Sequence, residues 1–363
     1  DWILPRIWII IGYQGAGMHS FCDTVIENLS LSPSLAWLLG SCMEARGKQE
    51  LWQAQKPEVL AALRELAIIQ SAESSNRIEG VTVAPERLKP LLAGRDGPRD
   101  RPEEELIGYR RALDWVHEGH EDIEITPTNI RELHRLAQAG MVGDAGQWKK
   151  RNNEIIEILP SGERRVRFVP VPPEQTPRAM EQLCLGYRDV VANGRLPPLL
   201  AEACLVLDLL CIHPFRDGNG RVARLLALLS LRQQGFHVGA YVSLERLIEL
   251  RKEGYYEALG RSSAGWHEAK HDLRPWASYL LSVLREAYAE MSERVAHVPD
   301  AAGKQALIRH VVSRQTGPFT LAQLSAQAPS VSLPTIKKVL AALKSEGAVT
   351  LEGRGRSARW RRA

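Results

Sequence analysis

The 363-residue sequence predicts a mainly α fold with one short β-hairpin flap near its middle and a basic module of three helices and a hairpin at its end. Three observations predict it. The stretch 199–211 is apolar on nearly every side, with Leu205, Val206, Leu207, Leu209 and Leu210 broken only by Asp208, as a helix buried in a core must be. The stretch 221–234 is a strong helix former rich in Leu, Ala and Arg, closed by Gly235 as the expected C-terminal cap. Residues 301–363 carry 11 Lys/Arg against 2 Asp/Glu, a balance of +9 that leaves −5 on the first 300 residues, so the surplus of cations belongs to a separate terminal module.

Taken in order, residues 1–46 form an N-terminal segment without a definite reading. The apolar run 2–11 is interrupted and too short to span a bilayer. It lacks the charged start and small-residue cleavage site of a secretion signal, and Met18 is expected as the true start because the chain begins with Asp1. Residues 47–100 read as a helical region: a helix begins near Pro57, uses Leu60, Leu63 and Ala67, and ends at Gly80. The Pro/Gly/Arg-rich stretch 85–102 is expected to be a loop leading to a core over 101–297. Within that core, 146–158 and 166–170 read as two β segments around the turn Pro160-Ser161-Gly162-Glu163. A helix is expected from Pro275, and a hinge over 298–303 opens the terminal module, 298–363. There the helices are expected at 304–315, 321–327 and 332–345, followed by strands at 349–352 and 357–361 around Gly353-Arg354-Gly355-Arg356. Three helices and a hairpin suggest a winged helix-turn-helix.

The densest chemistry lies in His213-Pro214-Phe215-Arg216-Asp217-Gly218-Asn219-Gly220-Arg221-Val222-Ala223-Arg224. Imidazole accepts a proton near neutral pH, a carboxylate holds Mg²⁺, and Gly-Asn-Gly lets backbone N–H groups approach an anion. Pro214 disfavours helix at His213, so the stretch becomes a loop feeding a helix N-terminus, whose free N–H groups and positive dipole end attract phosphate. Arg221 and Arg224, three apart, lie near one face and can reach successive phosphates. Phe215 is expected to plug into the core and anchor the loop.

This stretch resembles the signature of the Fic family of nucleotidyltransferases, His-x-Phe-x-Asp/Glu-Gly-Asn-Gly-Arg-x-x-Arg, at every specified position. The resemblance implies a helical core that transfers AMP from ATP to a Ser, Thr or Tyr hydroxyl of a protein target or of the chain itself, releasing pyrophosphate. It implies His213 as base, Asp217 as Mg²⁺ ligand, Gly218, Asn219 and Gly220 as anion hole, and Arg221 and Arg224 on the outer phosphates. Gly220 and Gly218 favour AMP over the phosphoryl or phosphocholine groups that sub-branches of the family transfer. Ser75-Asn76-Arg77-Ile78-Glu79-Gly80 is similar to the family's autoinhibitory pattern, which implies that Glu79, with Ser75, pairs with Arg224 and keeps the γ-phosphate from a reactive pose. The flap is implied to line the nucleotide cleft and pair with a target's backbone; Lys149 stands where an arginine is frequent, and Arg151-Asn152-Asn153 departs from the common pattern. Tyr255 and Tyr256 fit either core packing or contact with the nucleotide base, since family members carry an aromatic near the adenine.

Five cysteines, odd in number and without metal-ligand spacing, predict reduced thiols in a cytoplasmic setting, with Cys204 and Cys211 as small core residues. No zinc pattern and no membrane span are expected. In the terminal module Thr335, Lys337 and Lys338 would face a major groove and Arg354 and Arg356 would meet phosphates if the partner is DNA. Protein docking or dimerisation through a solvated basic surface explains the same charge, so DNA through 301–363 and a homodimer both stay open. The alternative to a transferase is a DNA-binding regulator whose core senses nucleotide.

Overall fold

The computed structural model describes residues 20–362 except 56, 139–142, 159–161, 297–304, 306, 307, 310, 314, 316, 329, 330 and 354–357. Residues 1–17, the hinge 298–303, Lys304, Pro160 and Ser161 of the flap turn, Arg354 and Arg356, and the expected strand start at Ser357 lie outside the described residues.

Helices dominate: α1 (Asp23–Glu27), α2 (Pro33–Gln55), α3 (Pro57–Ile78), α4 (Pro85–Leu92), α5 (Arg101–Gly119), α6 (Pro127–Gln138), α7 (Thr176–Ala192), α8 (Pro198–Ile212), α9 (Asn219–Gln233), α10 (Leu244–Leu250), α11 (Lys252–Ser263) and α12 (Arg274–Ala296), then Leu321–Gln327 and Leu333–Ser345. Strands β1 (Ile155–Ile158) and β2 (Arg164–Phe168) pair antiparallel with Ile156 opposite Val166. Strands β3 (Val349–Glu352) and β4 (Arg359–Arg362) form a second antiparallel pair. The mainly α expectation holds.

The centre is α8, in which every residue from Leu199 to Ile212 is buried because α7, α9, α11 and α12 pack around it. A helix apolar all round has no other stable place in water. Its two acids are handled differently. Asp208 accepts hydrogen bonds from the Ser20 N–H at 2.8 Å, the Ser20 hydroxyl at 2.5 Å and the Trp266 indole at 2.6 Å. Glu202 lies against a small cavity lined by Leu199, Val206, Leu231, Ile248 and Leu280, and burial pushes its carboxyl up to about 8.

The stretch 85–102, expected to be a loop, instead contains α4 and the start of α5. Pro85 occupies the first position of α4, where no N–H is required. Leu88, Leu91 and Leu92 are buried, and the buried Arg87 donates to both carboxylate oxygens of Glu103 at 2.8 Å. Asp100 caps α5 by accepting the Glu103 N–H at 3.0 Å. Helix α9 also begins two residues earlier than expected, at Asn219.

One hydrophobic cluster runs from Phe21 to Val295 and takes in α3, α5, α6 and α8 alike. A second, built on Ile308, Val312, Phe319, Leu324, Ile336, Leu340, Leu343 and Val349, belongs to the terminal segment. There Phe319 exchanges two backbone hydrogen bonds of 2.8 Å with Trp360, and Thr320 and Gln323 cap the helix Leu321–Gln327 reciprocally. The cysteines are free thiols, four of them buried. No described helix is long and apolar enough to cross a membrane.

Candidate functional site

Helix α8 stops at His213, which takes the left-handed conformation with φ 50° and ψ 60° ahead of Pro214. The loop is closed by Asn219, whose side chain accepts the Phe215 N–H at 2.9 Å and donates to the Phe215 carbonyl at 2.8 Å. That side chain is buried and shapes its own loop rather than facing a ligand. Phe215 is fully buried, as expected of an anchor. Gly218, at φ 77°, leads into α9, and a Cβ there would lie 2.3 Å from Gln138 Nε2. Among the described residues no group accepts from the N–H of Asn219, Gly220 or Arg221. These are the orphan donors of a helix N-terminus, and they suit an anion.

His213 is half-buried at the loop's start. Its Nδ1 lies 3.3 Å from the Leu210 carbonyl. A carbonyl only accepts, so Nδ1 carries the proton and Nε2 keeps its lone pair. Burial pushes the imidazole down to about 4, against the pull of the Leu210 hydrogen bond and with help from the charge on Lys149. The ring is therefore a neutral base at pH 7. Lys149 is itself buried; its ammonium donates to the Ile212 carbonyl at 3.1 Å and to Asn153 at 2.8 Å, and its N–H donates to the Pro214 carbonyl at 2.9 Å. Burial pushes that amine down to about 8. Asn153 also donates to the Phe215 carbonyl at 3.2 Å, so the segment before the flap braces the loop along its length.

The two arginines three apart are both buried and both engaged. Arg224 donates to the Ser75 hydroxyl at 2.9 Å, the Ser75 carbonyl at 3.0 Å and Glu79 Oε1 at 2.8 Å. Glu79 also covers the start of α9: a Cβ on Gly220 would lie 2.3 Å from its Oε1. Its carboxylate thus sits over the N-terminus of α9. Arg221 turns inward to Glu105 of α5 at 2.6 Å and to Asn76 at 3.4 Å. In this state neither guanidinium stands open to phosphate: Arg224 pairs with Glu79, the partner that the inhibitory pattern implies, and Arg221 is held by Glu105 of α5 and Asn76 of α3.

Asp217 is exposed, with Oδ1 accepting the Gly218 N–H at 2.7 Å and Oδ2 3.6 Å from Arg101. No group of three His, Cys, Asp or Glu residues forms a metal cage among the described residues. A single carboxylate beside an anion cradle fits Mg²⁺, which takes few protein ligands and completes its shell with phosphate oxygens and water. Tyr255 resolves to core packing, buried with its ring edge-on to Trp276 at 5.2 Å. Tyr256 is exposed at 37%, with Arg167 of β2 and Lys252 of α11 about its ring at 6.0 and 5.8 Å. Sequence reasoning missed Glu105, His134 and Gln138, polar residues inside helices with no local signal, and placed Lys149 and Asn153 in a β segment over 146–158, whereas β1 begins only at Ile155.

Residues 124–231 match the model of the Fic/DOC family. The match takes in α6, the flap, α7, α8 and the loop that follows it. Protein adenylyltransferase fic-1 of Caenorhabditis elegans is 30% identical over 213 residues, covering 56% of this chain and 37% of that protein. Protein adenylyltransferase Fic of Drosophila erecta is 26% identical over 266 residues, covering 68% of this chain and 52% of that protein. The chain therefore spans about a third to a half of these relatives' length. A crystal structure of a Fic family protein from Desulfovibrio desulfuricans shares the fold, with a TM-score of 0.63 at 22% identity over 92% of this chain and 97% of that one.

Proposed function

We propose that the chain is a protein adenylyltransferase that moves AMP from ATP to a Ser, Thr or Tyr hydroxyl of a protein, itself included, and that Glu79 restrains it. The observation that carries this reading is the seat of Glu79 on the N-terminus of α9, bonded to Arg224 at 2.8 Å. An acid in that place competes with a phosphate for the same donors. The relatives' name, protein adenylyltransferase, supports the choice of group transferred.

On this reading His213 Nε2 takes the proton of the target hydroxyl, whose oxygen forms a bond to the α-phosphorus of ATP while the bond to pyrophosphate breaks. The N–H groups of Asn219, Gly220 and Arg221 stabilise charge on the phosphates, and Arg224 does so once Glu79 has left it. Asp217 would hold Mg²⁺, which supplies positive charge to the phosphates when bound. Tyr256 forms part of the wall that receives the base, and the β1–β2 hairpin receives the target strand. The test is incubation with α-labelled ATP and Mg²⁺: label on Glu79→Gly that disappears in Glu79→Gly/His213→Ala supports the reading, and equal labelling of the two proteins refutes the role of His213.

A second reading rests on the terminal segment, where Lys337 and Lys338 are exposed on the helix Leu333–Ser345, two and three residues beyond Thr335. This arrangement suits a winged helix-turn-helix that contacts DNA, with the Fic domain sensing nucleotide. A mobility shift that weakens with salt and is lost in Lys337→Ala/Lys338→Ala supports it; a shift indifferent to both substitutions removes it.

A further inference from the structure

We propose that His134 is a positioning residue that sets the pose of the loop between α8 and α9, an inference that rests on the transferase reading for its effect on rate. His134 lies on α6, 83 residues before Asp217, and is buried. Its ring stacks on Phe215 with centroids 3.8 Å apart and planes 6° apart. Its Nδ1 accepts the Gly146 N–H at 2.8 Å. With that nitrogen fixed as acceptor, Nε2 carries the proton and donates to the Asp217 carbonyl at 3.1 Å.

The direction of that last bond has a consequence for Asp217. In a trans peptide the carbonyl and the N–H point opposite ways, so a donor fixed on the Asp217 carbonyl also fixes the Gly218 N–H. That N–H is the group that holds the Asp217 carboxylate, at 2.7 Å. One turn further along α6, Gln138 packs on Gly218, so residues four apart on one helix face cover the loop together. His134 thereby links the segment before the flap to the aim of Asp217 and to the approach of the α9 N-terminus, although it faces no substrate itself.

The test uses the full chain carrying Glu79→Gly, with His134→Phe (shape and stacking without hydrogen bonds), His134→Gln (an acceptor and a donor restored) and His134→Asn (reach toward Gly146 only). Loss of two hydrogen bonds should speed hydrogen exchange of amides 215–221 about tenfold or more in His134→Phe, with His134→Gln slower than His134→Phe. The AMP-transfer kcat should fall about thirtyfold in His134→Phe with KM for ATP changed less than about threefold, and recover in part in His134→Gln. If His134→Phe does not fold, His134→Asn carries the test through the same exchange and rate comparison. Unchanged exchange over 215–221, or a kcat equal to that of the parent, overturns the proposal. Absence of transfer in Glu79→Gly alone sinks the transferase reading instead, while the exchange comparison still decides whether His134 holds the loop.

Discussion

Replacing Glu79 by glutamine removes a charge from the start of α9 while keeping the side chain's shape. The wild-type carboxylate lies 2.8 Å from an Arg224 side chain that is 4% exposed, and is itself 31% exposed. A charge-assisted hydrogen bond contributes about 1.5–3 kcal/mol, and the solvent reaching Glu79 places this one near the lower end, at about 1.5–2 kcal/mol. A nucleotide that needs Arg224 must displace that pair, so Glu79→Gln should bind Mg²⁺·ATP roughly 10–30-fold more tightly. Arg224 does not lose its place, because Ser75 still accepts from it through hydroxyl and carbonyl. Calorimetric titration of ATP into wild type and Glu79→Gln reads the difference directly, and Ser75→Ala serves as the control that leaves the acid in place. Equal affinities of wild type and Glu79→Gln, within about twofold, would refute the argument that Glu79 competes with phosphate.

Three further outcomes are expected. Because the His213 imidazole is pushed down to about 4, it stays an unprotonated base well below pH 6.5, and kcat/KM for AMP transfer should hold down to about pH 5 where the protein remains folded; an acid limb centred near 6.5 would contradict the burial argument. Glu202 has a folded pKa raised to about 8, so the folded state binds more protons than the unfolded between the ordinary carboxylate range and 8, and stability falls as pH rises through that window. Glu202→Gln should therefore melt at a higher temperature than wild type at pH 8, by the equivalent of ~2 kcal/mol or more, and at nearly the same temperature at pH 4.5; a pH-independent difference would count against it. Removing the counter-charge of Arg221 with Glu105→Leu should cost about 3–5 kcal/mol in urea unfolding, since it leaves a buried guanidinium unpaired; a loss below about 1 kcal/mol would mean that Arg221 finds water or another partner.

What could be read in advance followed from local physics. The α8 run is apolar on nearly every side and Pro214 and Gly235 mark helix ends, so the loop and its flanks were legible, although α9 starts two residues before the expected Arg221. The stretch 85–102 was not, because its prolines and arginines resemble loop composition. Pro85 begins a helix there, and Arg87 is stabilised by Glu103, sixteen residues away. The spacing of Arg221 and Arg224 showed that they share a helix face, and the Ser75–Gly80 pattern pointed to Glu79 as the partner of Arg224, but neither showed that α5 would supply an acid to Arg221. Glu105 is 116 residues from Arg221, and nothing in its own surroundings distinguishes it from the other acids of α5. Lys149 shows the same limit from another side: a lysine in a flap reads as solvated, and only packing under His213 turns it inward.

Glu79 precedes Arg224 by 145 residues, which sets an order in time. A ribosome adding roughly 5–20 residues per second delivers α3 some 7–30 s before the second arginine of the loop. On the proposed reading the brake leaves the ribosome before the engine, so synthesis that stops early leaves a brake with nothing to restrain. Loss of chain from the N-terminal side acts in the opposite sense, since a product starting after Gly80 would keep the loop and lack its restraint. On that reading the position of the acid along the chain decides which truncated products stay restrained and which do not.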